Sequence, residues 1–143
     1  FQDYLIGPQI CYESLYPEFS AELAKQGAQW LVNLTNDSWF GPTFEPYQHM
    51  IMTAARSIEV RRPLIRSTNT GFTTAALADG TLLDRSTLFS EWVGAFDIRF
   101  KKISELTFYT RFHSFLPIAI LLILFFILFV NDLHRKSKEK GKR

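Results

Sequence analysis

Residues 4–34 read YLIGPQICYESLYPEFSAELAKQGAQWLVNL, and a strand, a helix and a second strand follow one another within them. Tyr4–Ile10 is short, mostly apolar and ends at Cys11, the pattern of a strand. Pro17 opens the helical stretch PEFSAELAKQG and Gly27 closes it. Proline just inside a helix and glycine just past its end follow from the missing proline N–H and from glycine's tolerance of left-handed backbone. Gln29–Leu34 then reads as a buried strand.

The pattern continues outward. Thr35–Pro46 holds Asn, Asp, Ser, Gly and Pro, which makes it a loop. Residues 47–61 have helical spacing, with Ile51, Ala54, Ala55 and Ile58 on one face as the expected core side. Strands are expected at Leu64–Ser67 and Phe72–Ala78. Asp79-Gly80 marks a hairpin into Thr81–Leu83, and a last strand is expected at Val93–Arg99. This order predicts an α/β layered domain.

Composition bounds what such a domain can be. The 143 residues are 47% hydrophobic and 21% charged, which excludes a disordered chain. One cysteine and three scattered histidines provide neither a disulfide framework nor a structural zinc site, and no metal or cofactor is expected. The net charge of +2 is uneven, because residues 134–143 (HRKSKEKGKR) carry +5 and the rest −3. The body is therefore not basic, and a nucleic-acid surface is not expected. Phe1 lies at the edge of a strand and is not a start methionine, which suggests the later part of a longer protein.

Phe115–Val130 reads FLPIAILLILFFILFV without a charge, and Ser114–Leu133 would extend about 30 Å as a helix, close to a bilayer core. The run shows no polar periodicity, and a basic segment follows it at once. A transmembrane helix over 112–133 with a basic cytoplasmic tail over 134–143 is expected, and the positive-inside bias then puts residues 1–111 on the opposite face. Phe108, Tyr109, Phe112 and Phe115 cluster at the expected interface; for Phe108 and Tyr109, packing in the domain core is an equal alternative.

Cys11 is the residue with the most chemistry. It ends a strand just before a turn into a helix, where α/β folds present ligands and nucleophiles. A helix starting nearby favours thiolate, and Glu13 brings a carboxylate within two residues. Taken alone, a single cysteine is more often a small buried hydrophobe, and local sequence does not overturn that. Of the histidines only His49 is placed to approach Cys11; a hydrogen-bonded structural role competes with that of a base. Arg56 and Glu59, three apart on a helix, suit a structural ion pair. Asn33-Leu-Thr and Asn36-Asp-Ser match the glycosylation pattern but overlap a buried strand end and are read as coincidence.

Several blocks together resemble the carbon–nitrogen hydrolase (nitrilase) superfamily, in its membrane branch of apolipoprotein N-acyltransferases. They are Ile10-Cys11-Tyr12-Glu13, Tyr16-Pro17-Glu18, Leu31-Val32-Asn33-Leu34-Thr35-Asn36-Asp37-Ser38-Trp39-Phe40-Gly41, Gln48-His49, Ala55-Arg56, Glu59, Arg62-Pro63, Arg66, Asn69-Thr70-Gly71 and Asp79-Gly80. They lie in the family's order across about residues 4–100, and the apolar run with its basic tail fits the membrane branch.

The resemblance implies an αββα nitrilase-like sandwich, here its C-terminal part over 1–111, followed by one transmembrane helix. It implies Cys11 as the nucleophile that takes an acyl chain from a phosphatidylethanolamine-like phospholipid as a thioester. The acyl group then passes to the amine of a diacylglyceryl-cysteine lipoprotein. The Tyr12 N–H would help hold the oxyanion, and Glu13 would support the site. Trp39 and Phe40 would contact acyl chains or form a lid; a plain role as core plugs competes with that. The family's catalytic Glu and Lys precede the cysteine and would lie before Phe1, so the fragment alone is expected to be inactive. Glu18, Glu22 and Lys25, on the helix after the nucleophile, do not replace them. The implied location is the bacterial inner membrane, with the catalytic domain periplasmic. A membrane-tethered amidase and an inactive truncated copy are the alternatives.

Overall fold

The computed structural model describes residues 4–101 and 105–140. The chain divides into two compact units, residues 1–111 and 112–143.

The first unit is built on a four-stranded sheet: β1 (Ile6–Ile10), β2 (Trp30–Thr35), β3 (Leu64–Thr68) and β4 (Thr74–Ala76), side by side in that order. β1, β2 and β3 run parallel and β4 is antiparallel to β3. Parallel neighbours need crossovers, and helices α1 (Pro17–Lys25) and α2 (Glu45–Val60) supply them. α1 carries Pro17 and Glu18 in its first turn and Lys25 in its last, and Gly27 turns the chain at φ +96°. α2 has Pro46 in its first turn and ends at Arg61 in a left-handed conformation (φ +52°), with Pro63 barring its continuation.

The two helices pack against one another and against the sheet. Ala24, Ala28, Leu31, Val60 and Leu64, with Leu23 beside them, make the apolar core. Strand alternation sorts the helix-facing residues into two rows. Gly7, Leu31, Leu64 and Ala76 lie across from one another in an apolar row. Two residues along each parallel strand, Gln9, Asn33, Arg66 and Thr74 form a polar row nearer the carboxyl ends of the parallel strands. No Cβ fits at Gly7, where it would meet Leu31 Cδ2 at 2.7 Å. The opposite sheet face carries Ile10 and Leu34, 56% and 49% exposed, with Trp30 and Ile65 lining a cleft closed by Phe96, Ile98 and Phe100. The described residues thus form one sheet and one helical layer.

Three expectations are corrected. The face of α2 carrying Ile51 and Ile58 is not the core side, since these side chains are 40% and 46% exposed. The buried face is instead Pro46, His49, Met50, Thr53, Ala54, Arg56, Ser57 and Val60. A stripe of polar groups is buried there because the polar row of the sheet pairs with it. The third hairpin strand at Thr81–Leu83 reduces to a single bridge, Leu82 to Ala76, below the turn at Gly80. Among the described residues Val93–Arg99 joins no ladder; Phe96 and Ile98 line a cleft with Trp30 and Ile65 on this sheet face, whereas Val93 is 95% exposed.

The second unit contains α4 (Leu116–Lys140), preceded by the short α3 (Phe108–Phe112) at the junction. Among the described residues no helix is long and apolar enough to cross a membrane. The apolar part of α4 whose side chains are described, residues 116–130, covers about 22 Å of the roughly 30 Å of a bilayer core. The side chains at 132, 133, 135–137, 139 and 140, and residues 141–143, lie outside the described residues, and with them much of the expected basic tail.

Candidate active site

Cys11 follows the last residue of β1 and opens a 3-10 turn, Cys11–Leu15. Its backbone is left-handed, φ +51°, a conformation that costs a non-glycine residue roughly 1 kcal/mol. Hydrogen bonds around the turn offset that cost. The Glu13 carboxylate accepts from the Ile10 N–H at 2.7 Å, closing the turn from below. The Cys11 carbonyl accepts from Ser14 Oγ and from Asn33 Nδ2, both at 3.1 Å. The residue is partly exposed. A half-buried thiol on a strained strand-to-helix corner is a geometry suited to a nucleophile.

Behind Cys11 lies a buried polar cluster. Arg66, from β3, is the largest fully buried side chain among the described residues. Its guanidinium donates to Asp37 Oδ2 at 2.7 Å, to Thr53 Oγ1 at 3.3 Å and to Asn33 Oδ1. His49 Nδ1 lies 3.1 Å from both Asp37 Oδ1 and the Arg66 guanidinium. Its Nε2 is buried with no hydrogen-bond partner among the described residues. Thr53 Oγ1 also shares a hydrogen bond of 2.8 Å with Ser14 Oγ, so α2, β2, β3 and the Cys11 turn join in one network.

The charges in this cluster depend on each other. Burial by itself would raise the Asp37 pKa, but the hydrogen bond from His49 and the charge and hydrogen bond of Arg66 override it and hold the carboxyl below its ordinary value. Burial lowers the Arg66 pKa, against the opposing pull of Asp37. Partial burial, and then the negative charges of Glu45 and Asp37, keep the Tyr12 phenol above its ordinary value.

The sign of the Asp37 shift sets a pH dependence. A depressed carboxylate stabilises the fold in full above its unfolded value, near 3.8, and loses that contribution as pH falls through the lower folded value. The urea midpoint is therefore expected to fall in acid below about pH 4, more steeply than in an Asp37→Asn variant. Identical acid limbs in the two proteins would contradict the shift.

Asp37 is held from outside as well. Asn69 Oδ1 accepts from its N–H at 3.0 Å. A Cβ at Gly71 would stand 2.0 Å from Asp37 Oδ2, so only glycine fits there. Gly71→Ala is expected to cost about 2 kcal/mol of stability, from displacement of the carboxylate off Arg66. Chemical denaturation measures it, and a loss under about 0.5 kcal/mol would mean the loop simply moves aside.

The expected site residues separate. Cys11, Tyr12 and Glu13 lie together on the corner. Tyr12 stacks on the His49 ring with centroids 5.1 Å apart. Phe40 meets Tyr12 and His49 edge-on at 6.1 and 5.9 Å. Trp39, its neighbour, projects outward with 83% of its surface exposed. Gly41, at φ +57°, follows the short turn Ser38–Phe40 that carries both. Arg56 and Glu59 form the expected ion pair, 2.9 Å apart. Glu22 and Lys25 pair with each other on α1 at 3.9 Å. His49 Nδ1 either donates to Asp37 or accepts from Arg66, according to its tautomer, and no described hydrogen bond joins His49 to Cys11. Among the described residues no three His, Cys, Asp or Glu side chains converge on a metal position.

Sequence reasoning named Asn33, Asp37, His49 and Arg66 within the blocks of the resemblance but did not bring them together as one cluster. The available signal was the polar stripe His49, Thr53 and Ser57 at helical spacing on α2, facing a strand that buries an arginine.

A partly exposed thiol at a left-handed corner, backed by a buried polar cluster at the carboxyl ends of parallel strands, marks the candidate site of this α/β domain. Residues 2–107 match the carbon–nitrogen hydrolase family, and the chain belongs to it. Its relatives include the apolipoprotein N-acyltransferase of Bdellovibrio bacteriovorus, 54% identical over 132 residues, which span 92% of this chain and 24% of that protein. That of Geobacter metallireducens is 39% identical, over 75% of this chain and 20% of that protein. The chain thus spans about a quarter or less of these relatives' length. A carbon–nitrogen hydrolase from Helicobacter pylori shares the fold, with a TM-score of 0.53 at 18% identity over 60% of this chain and 37% of that one.

Proposed function

We propose that this chain carries the nucleophile-bearing part of a bacterial apolipoprotein N-acyltransferase. The observation that carries the reading is Cys11, set half-exposed on the strand-end corner by Glu13, Ser14 and Asn33. The kinship with apolipoprotein N-acyltransferases over 92% of the chain supports it. In this reading the Cys11 thiolate attacks an acyl ester of a phospholipid. The acyl C–O bond breaks, a lysophospholipid leaves with a proton, and a thioester forms on sulfur. The free amine of a diacylglyceryl-cysteine lipoprotein then attacks the thioester carbonyl. Its N–H proton goes to the base, the C–S bond breaks, and an amide is released with the thiol restored. The Tyr12 N–H meets the oxyanion in both halves. A Glu and a Lys outside this chain complete the proton transfers, and the polar tip of the αββα sandwich forms where its second sheet covers the Ile10 and Leu34 face. The partly exposed apolar side of that face is what such a second sheet would bury.

Trp39 and Phe40 have divided roles in this reading. Phe40 packs the wall beside Cys11 through Tyr12 and His49, and Trp39 faces the acyl chain. Residues 114–133 form the membrane anchor, the following basic residues stay cytoplasmic, and the domain faces the periplasm. Support comes from α4, whose side chains Ile118–Phe129 are bare apolar surface in a long helix. No cofactor takes part.

The test follows the peptide that bears Cys11. The complete enzyme, incubated with phosphatidylethanolamine vesicles, is expected to gain one acyl mass on the peptide bearing Cys11. A diacylglyceryl-cysteine peptide should discharge it into a new amide. Discharge by water at the same rate without the peptide would make it a hydrolase and not a transferase, and no adduct under any condition would sink the reading.

A further inference from the structure

The peptide unit between Cys11 and Tyr12 has two ends, and the structure ties down one of them. The chain has no cis peptide bond among its described residues, and in a planar trans unit the C=O and the N–H point in opposite directions. The Cys11 carbonyl is drawn inward by Asn33 Nδ2 at 3.1 Å and Ser14 Oγ at 3.1 Å. The Tyr12 N–H is consequently turned the other way, away from the buried cluster.

The orientation of Asn33 is itself decided by chemistry. A guanidinium only donates hydrogen bonds, so Arg66 NH1 can face only the amide oxygen of Asn33. The amide nitrogen is then left facing the carbonyls of Gln9, at 3.3 Å, and Cys11. Arg66 cannot swing to another arrangement while Asp37 and Thr53 hold it. A cross-strand pair in the polar row, Asn33 opposite Arg66, therefore sets a peptide plane at the corner. Without that hold the left-handed Cys11 backbone, at φ +51°, relaxes toward the ordinary wells and turns the plane with it.

We propose that Asn33 is a positioning residue that aims the Tyr12 N–H at the developing oxyanion, and that Arg66 fixes the orientation of Asn33. This rests on the reading of Cys11 as the acylated nucleophile. The role is separate from holding the thiol, and the two can be told apart by the reaction used. Acyl transfer builds an oxyanion, whereas alkylation of the thiolate by iodoacetamide is a displacement at carbon and builds none.

Asn33→Asp in the complete enzyme keeps the side-chain volume and the contact to Arg66 but removes the donor to Cys11. The expected result is a fall in kcat of about 10²–10³-fold, with KM and the pH-independent alkylation rate of Cys11 each within about threefold of the parent. An unchanged kcat overturns the proposal. So does a parallel fall in alkylation and kcat, because Asn33 would then merely hold the sulfur. If Asn33→Asp does not fold, Ser14→Ala decides: it removes the other side-chain donor from the same carbonyl and is expected to lower kcat about fivefold with alkylation unchanged. No effect on kcat there overturns the proposal. An active Cys11→Ala enzyme would remove the nucleophile reading and this proposal with it, whereas an inactive one beside a fully active Asn33→Asp overturns the positioning role alone.

Discussion

Cys11→Ala in the complete enzyme is expected to lower acyl transfer by at least about 10³-fold while leaving the unfolding midpoint nearly unchanged, because in the proposed reading the Cys11 sulfur is the atom that forms the thioester. The side chain is small and partly exposed, and the hydrogen bonds at this corner run through the backbone of residues 10 and 11 and not through sulfur. Alanine adopts the left-handed conformation at about the same cost as cysteine. Stability and activity should therefore separate cleanly. Steady-state acyl transfer to a lipoprotein amine, measured beside a urea titration, checks both. Retained activity would mean that Cys11 is a packing residue. A collapse of stability would mean that the thiol buries more than its exposure indicates.

The second large effect is on stability. Arg66→Met removes the charge that Asp37 faces at 2.7 Å and the donors that Asn33 and Thr53 accept. The buried aspartate is left with only His49 and the Thr35 hydroxyl as side-chain partners, and neither is a permanent cation. Breaking a buried pair by deleting one partner costs about 3–5 kcal/mol, because the surviving charge keeps its desolvation penalty without its compensation. Such a loss is a large part of the stability of a domain this size. Arg66→Met/Asp37→Asn should recover part of it, since no uncompensated carboxylate remains. The coupling between the two sites is expected to exceed about 1 kcal/mol in a double-mutant cycle. Additive effects would show that the buried pair has no special strength.

Local sequence was enough for the elements whose signals are local. Pro17 and Gly27 bracket α1 because ring geometry and positive φ act within one or two residues. β1, β2 and β3 were legible as short apolar runs, and the Asp79-Gly80 turn by its glycine, which adopts φ +90°. The errors arose where the outcome depended on what lies across the sheet. Val93–Arg99 has strand-like composition, but pairing needs an open edge in register, and in this segment Phe96 and Ile98 instead line the cleft with Trp30 and Ile65. For α2, an apolar stripe was expected to face inward. The buried stripe is polar because Asn33 and Arg66 face it and must be satisfied.

Within the site, Cys11, Tyr12 and Glu13 were found together because they are adjacent in the chain and follow a strand. Phe40 and Trp39, also neighbours, were treated as one unit, yet a 3-10 turn sends their side chains in opposite directions. Asp37, Asn33, His49 and Arg66 come from a loop, two strands and a helix, and no spacing in the chain announces their meeting. Family resemblance named these positions without saying what they do.

By itself the sequence determined the α/β order, the position of the thiol at a strand end, the apolar run ahead of a basic tail and kinship with the carbon–nitrogen hydrolases, since each is written in consecutive residues. Only the tertiary structure decided that a buried arginine orients an asparagine, that the asparagine holds the Cys11 carbonyl, and that the histidine ring lies against an aspartate and that arginine. Those relations depend on strand register and on the face each helix turns inward, both of which are set by the packing of the whole domain and not by any short stretch of it.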